Sequence, residues 1–167
     1  MTSAILPDEI VALATRVVHE NSSIARKVAI AESCTGGLVC AALTEIPGSS
    51  AVLDRGFVTY SNEAKRQLLD VSDDIIEAFG AVSAATAWAM AQGALRHSDA
   101  DVAVAISGIA GPEGGSELKP VGTVVFACAR RGESIEDINA EQRLLDGKDR
   151  SEIRRQATLV ALELLLP

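Results

Sequence analysis

The stretch VAIAESCTGGLVCAAL, residues 28–43, passes from one apolar run to another through a polar turn that carries two glycines. Val28-Ala29-Ile30 has the composition of a short buried strand, and Leu38–Leu43 that of a helix start. A strand leading into a helix through such a turn is the unit from which α/β proteins are built. It is also where they place chemistry. The turn lifts side chains clear of the sheet, and the free N–H groups at the helix start attract negative charge. Ser33, Cys34 and Thr35 offer two hydroxyls and a thiol at this point. The pattern is neither a Walker loop, nor GxGxxG, nor GxSxG, so none of those mechanisms applies.

Working outward, Pro7, Asp8 and Glu9 suit the first turn of a helix, and Ile10, Leu13, Ala14, Val17 and Val18 repeat at helical spacing to about Glu20. Strand one is expected over Lys27–Ala31 and the next helix to about Glu45, broken by Pro47-Gly48-Ser49-Ser50. A second strand is expected over Val52–Tyr60, and Ser61 or Asn62 caps a short helix carrying Lys65. Asp73–Phe79 reads as a short helix, and Ser83 caps a longer one with Ala84, Ala87, Trp88, Ala91 and Leu95 in a stripe. Val102–Ile106 is a buried strand. The loop at 107–120 holds four glycines and two prolines, which excludes regular structure there. Val121–Ala129 and Ile135–Leu144 form an antiparallel hairpin about the turn Arg131-Gly132-Glu133. Asp149 and Glu152 fit a capping box for a last helix ending near Leu166. Strands alternating with helices, then a hairpin, predict an α/β fold. Its sheet is mixed and mostly parallel, lies between helices, and carries the antiparallel hairpin near the C-terminus.

Composition narrows the function classes. The 167 residues are read as one domain, 1–167, large enough for a full core. Only 3% are aromatic and the formal net charge is −8, so the basic, stacking surface of a nucleic-acid binder is missing. No apolar run approaches the roughly 18 residues of a membrane span, and the start MTSAILPDEI does not read as a signal peptide. Cys34, Cys40 and Cys128 make no CxxC pair, which fits a reducing cytoplasm. His19 and His97 stand far apart, so no metal site and no cofactor is read. Helix faces rich in alanine and leucine suggest a homodimer.

Three polar, glycine-marked or hydroxyl-bearing segments follow the first three strands: ESCTGG at 32–37, TYSNEAK at 59–65 and SGIAGPEGG at 107–115. If these strands are parallel, the segments converge at one sheet edge. There Ser33 and Lys65 can pair, because a desolvated lysine loses its proton and serves as a base. Tyr60 can relay a proton. N–H groups of Cys34, Thr35, Gly36 and Gly37 can hold an oxyanion. Ser107, Gly108 and the glycines to 115 can close over a ligand, and Ser49, Ser50 or Gly111–Gly115 can supply phosphate donors. The competing readings are ordinary: Thr35 as a helix cap, Lys65 solvated, Cys34 as a small buried group, Glu32 as either a supporting acid or a surface one.

At the same residues the chain resembles the CinA C-terminal domain family. The similar stretches are AESCTGGL at 31–38, PGSS at 47–50, RGFVTYSNEAKRQLLDV at 55–71, GAVS at 80–83, SGIAGPEGG at 107–115 and KPVGTV at 119–124, with DGKDRSEIRRQA at 146–157 matching more loosely. The resemblance implies a three-layer α/β/α fold and a stand-alone amidohydrolase. The implied reaction turns nicotinamide mononucleotide and water into nicotinic acid mononucleotide and ammonia. It implies Ser33 as nucleophile with Tyr60 and Lys65 beside it. Where the family has threonine at the head of the third segment, this chain has Ser107. Two alternatives stand next to this reading: a catalytically silent nucleotide-binding domain using the same pocket, and a thiol nucleophile at Cys34.

Overall fold

The computed structural model describes residues 4–137 and 139–167. Its elements in order are α1 (Asp8–Ser23), β1 (Val28–Glu32), α2 (Leu38–Thr44), β2 (Leu53–Val58), α3 (Asn62–Leu69), α4 (Asp73–Phe79), α5 (Ala84–Arg96), β3 (Val102–Gly108), β4 (Thr123–Arg130), β5 (Asn139–Leu144) and α6 (Arg150–Leu164). Short 3-10 turns at Ser49–Ala51 and Ile135–Asp137 precede β2 and β5. Position 138 of the expected last strand, and positions 1–3, lie outside the described residues. Among those residues, no helix is long and apolar enough to cross a membrane.

The five strands form one sheet in the order β2-β1-β3-β4-β5. β1 is parallel to both neighbours, whereas β4 runs against β3 and β5 against β4. The sheet is therefore mixed, with a parallel half and an antiparallel half, and the expected hairpin is its far edge. Side-chain alternation sorts the two faces. Val28, Ile30, Val102, Val104, Ile106 and Phe126 point to one face and pack with α1, α2 and α6. Ala29, Ala31, Ala103, Ala105, Ala127 and Ala129 point to the other, with α5 and the ends of α3 and α4. Small residues on that face let α5 lie close. At Gly93 of α5 an added Cβ would sit 2.0 Å from the Leu69 carbonyl oxygen, so this crossing admits no side chain.

The helix starts are set locally. Ser61 accepts a hydrogen bond from the Ala64 N–H, Ser72 from Ile75, Ser83 from Thr86 and Asp149 from Glu152. The exception is α2. Thr35 is not its cap. Gly37 occupies that position with φ +101°, and no side chain of the turn bonds the helix. Both oxygens of Glu32 accept instead, from the N–H groups of Val39 and Cys40 at 3.0 and 3.1 Å. A carboxylate reaching across the turn answers two donors at the positive helix end, where a hydroxyl would answer one.

Candidate active site

The backbone brings the three segments together. The Ser33 N–H donates to the Ile106 carbonyl at the end of β3, and the Thr59 N–H donates to the Glu32 carbonyl at the end of β1. The carboxyl ends of β2, β1 and β3 thus meet, and a pocket of about 250 Å³ opens over them. Ser33, Cys34, Tyr60, Lys65, Ser107 and Gly108 all line it.

Its floor holds the Ser33–Lys65 pair. The Lys65 ammonium donates to Ser33 Oγ at 3.2 Å and to the Thr59 carbonyl at 2.9 Å. Lys65 is 1% exposed and Ser33 7%. Among the described residues Lys65 has no carboxylate partner, and burial lowers its pKa from the ordinary 10.5. The deprotonated amine, which a general base requires, is thereby brought nearer neutral pH. The contact to Ser33 is direct. Tyr60 is 61% exposed, and its hydroxyl accepts from Arg150 at 2.6 Å, so it stands at the rim rather than between the two.

Cys34 is buried, and desolvation followed by the Glu32 charge pushes its thiol up to about 11. A thiol held protonated is a poor nucleophile. Cys40 is raised further by the same two causes and packs against Gly56, where an added Cβ would overlap its sulfur.

The turn itself is part donor, part scaffold. The Gly36 N–H is already spent on the Ser33 carbonyl at 3.0 Å, which removes it from the expected oxyanion donors. The N–H groups of Cys34, Thr35 and Gly37 have no acceptor among the described residues. Thr35 Oγ1 is buried without a partner among the described residues. Ser107 donates its hydroxyl to the Ala81 carbonyl at 2.8 Å, which leaves its lone pairs available. Of the glycine loop, the Gly111 carbonyl accepts from Arg150 at 2.7 Å, and Gly115 packs on Val121. Ser49 and Ser50 do not reach the pocket of their own chain. They precede β2, where Val52 bonds the first residue of β1, so they sit at the opposite edge of the sheet.

Two arginines escaped the sequence reading. Arg150 lines the pocket. Arg154 donates to the Cys34 and Thr35 carbonyls at 3.0 and 3.1 Å and so locks the turn. They are one helical turn apart on α6, more than 110 residues beyond the segment they serve. A signal was available: a cation in the first turn of a helix works against the macrodipole, so another need must hold it there. Asn62, Ala81 and Val82 also line the pocket without having been expected to.

Residues 10–167 match the CinA C-terminal domain. The chain is 50% identical over 158 residues to the nicotinamide-nucleotide amidohydrolase PncC of Escherichia coli K12, covering 94% of this chain and 93% of that one. It is 53% identical over 140 residues to a CinA-like protein of Mycobacterium marinum, a match that covers 84% of this chain and 32% of that longer one. The crystal structure of the competence/damage inducible protein CihA from Agrobacterium tumefaciens superposes with a TM-score of 0.93 at 47% identity, covering 98% and 97% of the two chains.

Proposed function

The chain belongs to the CinA C-terminal domain family, and on that premise we propose that it is a nicotinamide-nucleotide amidohydrolase with Ser33 as nucleophile and Lys65 as general base. The observation that carries the reading is the buried 3.2 Å contact between Lys65 and Ser33 on the floor of a pocket. Similarity to a nicotinamide-nucleotide amidohydrolase supports the substrate class. Within it the proposed substrate is nicotinamide mononucleotide, converted with water to nicotinic acid mononucleotide and ammonia.

The steps follow from the groups present. Neutral Lys65 takes the Ser33 proton as Oγ attacks the carboxamide carbon, giving a tetrahedral oxyanion. The unbonded N–H groups of Cys34 and Thr35 are its donors: Arg154 holds the Cys34 carbonyl, which shares a peptide with the Thr35 N–H, and the Gly36 N–H holds the Ser33 carbonyl, which shares one with the Cys34 N–H. Protonated Lys65 then gives the proton to the departing nitrogen. Ammonia leaves, and the acyl group remains as an ester on Ser33. Water attacks the ester as Lys65 takes its proton, and Lys65 returns a proton to Ser33 as the acid leaves. Tyr60 shapes the rim, and Ser107 offers its lone pairs to the carboxamide N–H groups. The reaction calls on no cofactor. A cytoplasmic homodimer completes the proposal, and sedimentation would check the dimer.

The test is ammonia release by purified protein. Wild type and Cys34→Ala should both turn over, and Ser33→Ala should lose at least about 10³-fold in kcat. Turnover that survives in Ser33→Ala and vanishes in Cys34→Ala would move the nucleophile to the thiol. Nucleotide binding with no ammonia from wild type would leave a silent binding domain.

A further inference from the structure

Arg150 is the one charged group of the pocket that the chemistry above leaves without a task. It stands at the first position of α6, against the helix dipole. Arg131 shows the opposite and favourable placement: it donates to the Leu95 and Ser98 carbonyls at the C-terminal end of α5. Arg150 donates to the Gly111 carbonyl and the Tyr60 hydroxyl, both neutral. Arg66, Arg143 and Arg155 each lie against a carboxylate, whereas among the described residues Arg150 has none within 4.0 Å. A guanidinium has five N–H donors, so those not committed to Gly111 and Tyr60 are available to a ligand.

Depth adds to this. Ser33 is nearly closed off on the floor, whereas Tyr60 and the exposed Arg150 form the rim. A mononucleotide has the same order along its length: carboxamide, ring, ribose, phosphate. With its carboxamide at Ser33, its phosphate comes to the rim. The protein as a whole carries −8 and repels such a ligand, so an unpaired cation at the mouth has an electrostatic purpose.

We propose that Arg150 is the specificity-determining residue that binds the substrate's phosphate, and that it selects carboxamide-bearing nucleoside monophosphates over their phosphate-free counterparts. The inference rests on the amidohydrolase reading. It replaces Ser49 and Ser50 as phosphate donors within the chain.

The test compares kcat/KM on nicotinamide mononucleotide and nicotinamide riboside for wild type, Arg150→Ala and Arg150→Lys, with inorganic phosphate as a competing anion. The preference for the mononucleotide should fall about 100-fold in Arg150→Ala, chiefly through KM, and competition by phosphate should disappear. Arg150→Lys, which keeps a point charge, should recover part of the preference. Loss in equal proportion on both substrates would overturn the proposal, because Arg150 would then serve only to hold Tyr60 and Gly111. An unchanged preference would overturn it as well. Calorimetric binding of nicotinamide mononucleotide separates the two readings. If wild type releases no ammonia yet Arg150→Ala weakens binding about 100-fold, the phosphate site stands and the amidohydrolase reading falls.

Discussion

Two buried polar clusters in this molecule are built in opposite ways. Beside the start of β1, Asn21 donates to the Val17 and Leu165 carbonyls and accepts from Arg26, which itself donates to Leu165. Every polar atom of that amide has a partner. Around Ser33 the pairing is incomplete. Among the described residues, Lys65 is buried with a lowered pKa and no carboxylate partner, Thr35 Oγ1 has no partner, and three N–H groups of the turn have no acceptor. The first cluster ties the end of α6 to α1 and the strand after it. The second keeps donors and a base in reserve. Buried polar groups that are saturated hold a fold together, whereas unsaturated ones cost stability and persist where a ligand or reaction uses them.

The largest expected effect breaks the second cluster. Lys65→Met should lower kcat about 10³-fold and yet stabilise the protein at neutral pH. Burial lowers the folded-state pKa, so between that value and 10.5 the unfolded chain binds more protons and wild-type stability rises with pH. The gain from methionine should therefore shrink as pH climbs toward 10.5, which denaturant melts at several pH values would follow. The same titration governs turnover: on the acid side of the Lys65 pKa, kcat/KM should fall about tenfold per pH unit, and this limb should be absent from Lys65→Met. A pH-independent wild-type rate would count against lysine as the base.

Next comes the saturated cluster. Asn21→Ala should destabilise by about 2–3 kcal/mol, since it removes the three hydrogen bonds of a fully buried side chain and leaves Arg26 Nε without its acceptor, with kcat per folded molecule retained. Thermal melts together with turnover would check both halves. The smallest effect belongs to Glu32→Gln, which keeps the shape but not the charge that caps α2. About 1 kcal/mol of stability should be lost, with a modest fall in kcat because the turn carrying Ser33 loosens. If Asn21→Ala silenced catalysis more than Glu32→Gln, the contrast between the clusters would fail.

What could be read along the chain follows the range of each interaction. The caps at Ser61, Ser83 and Asp149 were legible because acceptor and donor are three residues apart. The strand that opens β1 and the hydroxyls after it were legible because apolar runs and glycines act locally. The CinA family was legible in the motifs, and the match over residues 10–167 agrees. Thr35 was misjudged as a cap because a neighbouring carboxylate competes better for the same donors. The distance of Ser49 and Ser50 from the pocket of their own chain was not legible, because it depends on where the turn before β2 meets the start of β1.

By itself, then, the sequence determined the α/β alternation, the two-sided core and the three segments that carry chemistry. Each depends on periodicity, or on a residue type within one turn or strand. Tertiary structure alone decided that Lys65 meets Ser33 directly while Tyr60 turns to the rim, that Glu32 caps the helix after its own strand, and that Arg150 and Arg154 return from the last helix to the first turn. Those contacts depend on strand order and on the direction of α6, because side chains up to 120 residues apart meet only once the sheet has been assembled.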